Sequence, residues 1–194
     1  MKALSELLKE FDGRNKTQEQ LEKYFSEIAK SAIYGGHFKI NDDYIIRIVE
    51  VEFYFHSEDP NSSKIYDWGM YHRGKEVEYF TIGSLNPHNS GVDVTFERKG
   101  SYRASFLIRK YEVDGVVVNS PTYLREDLFG YTGVILGDGP KISWVNNLVE
   151  DTDALILHQL PRINVTAYDE NGKPLKDANG NKLFDKRNLR FTRL

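Results

Sequence analysis

Cysteine is absent from the 194 residues. Without thiols there is no disulfide, no thiolate zinc site and no cysteine nucleophile, so any chemistry must run on oxygen and nitrogen side chains. Long apolar runs are missing too. None approaches the ~20 residues that a membrane-crossing helix needs, so no membrane partner is expected. The first residues lack the pattern of a secretory leader, since Glu6, Lys9 and Glu10 follow the first leucines. A cytoplasmic location is the expectation. A basic surplus is also lacking: 26 Lys and Arg stand against 29 Asp and Glu, a net charge of −3. That balance argues against a uniformly basic nucleic-acid-binding surface, although it leaves room for local patches. Apolar residues are not scarce. They make up 40% of the chain, and 12 Tyr and 11 Phe suit a β-rich fold with stacking surfaces. The length fits one domain with a core of its own.

The most informative stretch runs from Arg47 to His56. On a strand, side chains alternate between two faces. Val49, Val51, Phe53 and Phe55 then point one way, into a core. Glu50, Glu52, Tyr54 and His56 point the other way, placing two carboxylates, a phenol and an imidazole in line. The plain reading is a half-buried antiparallel strand with a solvated polar face; the functional one is a rigid mount for a general base.

Around this strand the chain divides readily. Leu4, Leu7, Leu8 and Phe11 have helical spacing, ended by Asp12-Gly13. Thr17 and Gln20 make a capping box for a second helix that ends at Gly35-Gly36. These N-terminal helices occupy residues 1–33. Strands are expected at 37–40, 77–82, 92–97, 104–113 and 116–118, with a turn at Asn41-Asp42-Asp43 and a loop over 83–90. Asp114-Gly115 signals a tight hairpin. Ser120-Pro121 reads as a helix start. The run Leu136 to Lys141 lacks the ending of a phosphate loop and reads as a turn into a helix carrying Trp144, Val145, Leu148 and Val149. Residues 169–187 form a hairpin-rich insertion with turns at Asn171-Gly172 and Asn179-Gly180. Asp177, Asn179 and Asn181 have part of a calcium-loop spacing. Gly falls at the wrong place and the closing glutamate is missing, so neither metal nor cofactor is expected.

The run Ile48-Val49-Glu50-Val51-Glu52-Phe53-Tyr54 resembles the active-site strand of the 3-methyladenine (alkyladenine) DNA glycosylases, which reads close to I-V-E-T-E-A-Y. Leu107-Ile108-Arg109, Gly139-Pro140-Lys141, Pro161-Arg162-Ile163-Asn164-Val165 and Leu189-Arg190-Phe191 resemble later segments of that family, in the same order. The resemblance implies a mixed α/β (α+β) single domain over residues 1–194, with a curved, mostly antiparallel β-sheet and helices around it. It implies a monomeric enzyme without a cofactor, whose partner is damaged DNA and which hydrolyses the N-glycosidic bond of an alkylated purine flipped out of the helix.

The same resemblance assigns roles. Glu52 is the general base and Arg109 helps hold the attacking water. Tyr54 stacks on the base, with Leu107 beside it. His72, in Tyr71-His72-Arg73-Gly74, contacts the flipped nucleotide, and His56 competes for that role because it shares a face with Glu52. The basic residues Arg73, Arg98, Lys99, Arg103 and Lys141 are expected to bind DNA. One departure matters: Asn89-Ser90-Gly91-Val92 stands where the family has Tyr-Gly-Met-Tyr, whose aromatic fills the gap left by the flipped base. A loosely held base, mismatched or single-stranded, is therefore the expected substrate. The alternatives are an N-glycosidase acting on a nucleoside, nucleotide or single strand, and a catalytically silent binding module on the same scaffold.

Overall fold

A computed structural model describes residues 1–41, 44–73, 78–130, 141–147, 149 and 155–193. Two helices come first, α1 (Leu4–Glu10) and α2 (Gln18–Tyr34). The Thr17 hydroxyl accepts from Gln20 N–H and the Gln20 side chain accepts from Thr17 N–H, the capping box expected from sequence. Then follow β1 (Gly36–Ile40), β2 (Tyr44–Ser57), β3 (Leu85–His88), β4 (Gly91–Thr95), β5 (Tyr102–Val113) and β6 (Val116–Val118). The chain continues through α3 (Tyr123–Phe129), β7 (Ile142–Asn146), β8 (His158–Leu160) and β9 (Arg190–Thr192). The sheet is antiparallel throughout, in the order β3-β4-β5-β2-β1-β7, with β6 on β5, and β9 joining β2 to β8. This is a single α+β domain.

β2 is the centre of the sheet. One side pairs with β5 from Ile46↔Val113 to Ser57↔Tyr102. The other meets β1 near its start and β9 at Glu50–Glu52. Beyond β9 the ladder would be left open, and side chains complete it. The Asp67 carboxylate accepts from Phe55 N–H at 2.7 Å, and Arg162 donates to the Phe53 carbonyl. A buried backbone donor without a partner is costly, so these two residues complete the sheet where no strand of the described residues lies.

Alternation along β2 breaks in the middle. Ile46 and Ile48 belong to the core, and so do Val51, Phe53 and Phe55, which are of opposite parity. The register is irregular between Ile48, Glu50 and Val51, opposite Lys110. Val49 is buried but stands outside the core cluster, contrary to simple period-two counting. Helix α2 covers the apolar face with Leu21, Phe25, Ile28, Ala29, Ala32 and Ile33. The Phe25 and Phe53 rings stack with centroids 4.6 Å apart, and Phe11 packs edge-on against Phe96 and Tyr102.

Several expectations are corrected. The described part of 77–82 is not a strand; Val77 lies outside the described residues. The strand is Leu85–His88, within what reads as a loop. The helix expected after Lys141 is instead strand β7, paired with β1 from Gly36↔Asn146 to Ile40↔Ile142. Ile142, Trp144 and Val145 are β-formers that gain backbone partners on an open sheet edge. Gly36 allows this approach, since a Cβ there would lie 2.4 Å from Val145 O. Helix α3 starts after Thr122, with no side-chain cap from Ser120. Of the later segments that resemble the family, Arg190-Phe191 lies in β9, whereas residues 161–165 form no regular strand and follow β8 (His158–Leu160). The Leu136–Pro140 turn, Asp42-Asp43 and Leu148 fall outside the described residues.

The 169–187 insertion has its two turns where expected, with Gly172 and Gly180 at positive φ. They are not separate hairpins. Ala167 N–H donates to Leu183 O, Leu183 N–H to Leu175 O, and Leu175 N–H to Ala167 O, closing a triangle of three eight-residue passes. Asp169, Asp177 and Asp185 recur in step, each accepting from backbone N–H groups just downstream.

Candidate active site

The second face of the sheet is polar and yet buried. Across β4, β5 and β2 the rows read Asp93↔Leu107↔Glu52 and Thr95↔Ser105↔Tyr54, with Arg103 opposite His56. Residues 58–73 and 161–168 lie over it, so Glu52, His56, Asp93, Thr95, Glu97 and Arg103 are all buried. The solvated polar face of the plain reading is thus excluded. Buried charge must be paired, and the pairing is specific.

Glu52 is fully buried. Its Oε1 accepts from the Tyr54 hydroxyl at 2.5 Å and lies 3.5 Å from Arg109 Nη1. Its Oε2 accepts from Ile163 N–H at 2.8 Å. Arg109 reaches it diagonally, because the residue directly opposite Glu52 is Leu107. Burial, and then the Glu52 carboxylate, push the Tyr54 phenol well above its ordinary pKa, so it remains a donor. Glu50 is held elsewhere, between Lys110 at 2.8 Å and Arg190 at 3.0 Å.

Tyr54 and Leu107 line a cavity of about 290 Å³, close to the lower limit for small-molecule sites. Tyr71, His88, Asp93 and the 163–166 segment complete most of its wall. Glu52 and Arg109 are not among the described lining residues; the carboxylate stands behind Tyr54. A larger, more open cleft of about 730 Å³ adjoins it and shares Tyr54, Thr166 and Tyr168.

The other assigned residues separate. His72 is buried in a different role, its Nε2 lying 2.7 Å from Glu97 Oε1. Among the described residues the histidine of the cavity is His88, stacked on Tyr71 with centroids 4.2 Å apart. His56 packs against Trp68, and burial lowers its pKa. Arg73 lies over Trp68 and donates to its carbonyl. Arg103 is corrected outright as a DNA contact. It is fully buried, paired with Glu58 and Glu97, and its guanidinium lies 3.6 Å from the Tyr79 ring centroid. The reason is strand parity, which points it to the same covered face as Glu52. Arg98 and Lys99 are exposed in the turn before β5, beside the end of β2. Lys141 is exposed at the opposite end, where β1 leaves toward β2. The basic residues therefore do not form one patch.

Period-two counting on 92–97 would have found Asp93, since Val92, Val94 and Phe96 are core residues and Asp93, Thr95 and Glu97 face away. His88 and Tyr71 carry no comparable signal, because their neighbours lack alternation. A four-membered ion cluster likewise has no local signature in the sequence: Arg162 and Arg187 each pair with both Asp67 and Asp185. Arginine pairing outweighs burial here and holds Asp67 below its ordinary pKa, with Asp185 lowered to about 2.

Compared with known proteins, the chain matches no family model, no curated protein and no solved structure.

Proposed function

We propose that this chain is an N-glycosidase that releases a damaged purine from DNA, with the base held in the cavity beside Tyr54. One observation carries the reading: Tyr54 is both a wall of the cavity and a hydrogen-bond donor to a buried carboxylate that Arg109 also approaches. The likeness of residues 48–54 to the alkyladenine glycosylases points to the same three residues.

Cleavage of an N-glycosidic bond builds positive charge on the sugar, which a fixed carboxylate stabilises. Glu52 meets that need, since three donors fix its orientation. In this reading Arg109, which contacts Oε1 at 3.5 Å, helps hold the attacking water against the Glu52 carboxylate. Proton transfer to Glu52 then contributes on the order of 10²–10⁴-fold. Tyr71, 56% exposed and bonded to Ser90 at the β3–β4 turn, supplies an aromatic at the rim where the hairpin itself has none.

A catalytically silent base-binding module is the second reading, favoured by the complete burial of Glu52. Incubation with methylated single-stranded and duplex oligonucleotides separates the two. Release of free base supports the glycosidase; retention of DNA without release supports the module.

A further inference from the structure

The cavity contains a carboxylate that the proposed chemistry does not use. Asp93 lines it and is 3% exposed. Among the described lining residues Asp93 is the sole Asp, Glu, Lys or Arg. His88 Nδ1 accepts from Ser90 N–H at 3.2 Å, which places the ring proton on Nε2. That nitrogen lies 3.2 Å from Asp93 Oδ1, while the Ser105 hydroxyl donates to Oδ2 at 3.1 Å. A carboxylate has about four acceptor sites, and Oδ1, buried in the wall, takes no hydrogen bond among the described residues, because the His88 Nε2 contact lacks hydrogen-bond geometry. A phosphate or other anion would be repelled from such a wall. A ring presenting an N–H donor would be held by a charge-assisted hydrogen bond, which is about twice as strong as a neutral one.

We propose that Asp93 is the specificity-determining residue of this cavity, accepting a hydrogen bond from the exocyclic amino group of a bound adenine-like base. The inference rests on the reading that the cavity holds a nucleobase, but not on catalysis by Glu52. A site built around a buried acceptor rejects a ligand lacking the donor, because the acceptor is then desolvated without a partner.

The test uses calorimetric titration of the full chain with 9-methyladenine and 9-methylpurine, which differ by the amino group alone. The wild type should prefer 9-methyladenine by about 10- to 100-fold. Asp93→Ala should bring the ratio close to unity. Asp93→Asn, which keeps the shape and loses the charge, should fall between and serves if the alanine variant does not fold. Equal binding of both probes by the wild type, an unchanged ratio in the variants, or no binding of either probe overturns the inference. Base release from methylated DNA is measured alongside. Release with an unchanged ratio removes the role of Asp93 and leaves the glycosidase standing. The expected ratio without release leaves the role of Asp93 standing and removes the glycosidase.

Discussion

At the scale of single residues, Arg162 shows what the polar face demands. Its guanidinium is fully buried, pairs with Asp67 at 2.8 Å and with Asp185, and lies 5.2 Å from the Tyr54 ring centroid. Removing one member of a buried pair strands the other, at about 3–5 kcal/mol. Arg162→Ala should therefore lose stability in that range in urea unfolding. Asp185 adds a pH dependence. Burial alone would raise its pKa, but the hydrogen bond from Arg187 and the two guanidinium charges lower it from 3.8 to about 2. A depressed folded-state pKa contributes stability that is present above the unfolded value and lost as pH falls through the folded one. Asp185 should thus contribute on the order of 1–2 kcal/mol above pH ~4, allowing for solvent screening. That contribution fades as pH falls toward 2, and Asp185→Asn should remove it. A wild type and variant with parallel acid-unfolding curves would contradict this.

Among the elements, the β3–β4 hairpin brings His88, Ser90 and Asp93 to the cavity. It depends on Gly91, at φ 141°, where a Cβ would lie 2.8 Å from Pro121 O and 2.9 Å from Leu107 Cδ1. Gly91→Ala should cost about 1–3 kcal/mol from backbone strain, measured by urea unfolding, and should weaken any ligand of the cavity. Tyr71→Ala should slow base release from paired duplex more than from single strands. Single-turnover assays on matched oligonucleotides check this, and equal slowing would place the rim aromatic elsewhere. The long strand β2, both N-terminal helices and the Asp114-Gly115 turn were legible in sequence because each carries strong local signals: periodicity, a capping box, two positive-φ positions. β3 and β7 were not, since they are short and owe their form to neighbours distant in sequence. Tyr54 and Leu107, named from the resemblance, line the cavity, whereas Glu52 and Arg109 are not among its described lining residues. Arg103 is covered by residues 58 and 78–79, distant in sequence, and His72 is turned inward onto Glu97; neither burial carries a local signal.

Over the whole molecule, the sheet buries both faces by opposite means. Aromatic and aliphatic side chains pack against α1 and α2 on one side, and paired charges lie beneath loops on the other. An apolar filling of the second face would be as stable or more so, since desolvation offsets much of the attraction within a buried pair. These charges form separate clusters, around Glu50, Glu52, Arg103 and Arg162. No helix of the described residues is long and apolar enough to cross a membrane. Single-turnover release of free base from methylated single-stranded DNA, by wild type and Glu52→Gln, decides the central claim. Thermal unfolding is followed in parallel to show that both proteins are folded. The wild type should release alkylated purine, and Glu52→Gln, still folded though less stable for losing the buried charge beside Arg109, should fall by about 10²-fold or more. Release by the folded variant at the wild-type rate, or no release by the wild type from any methylated strand, would contradict it.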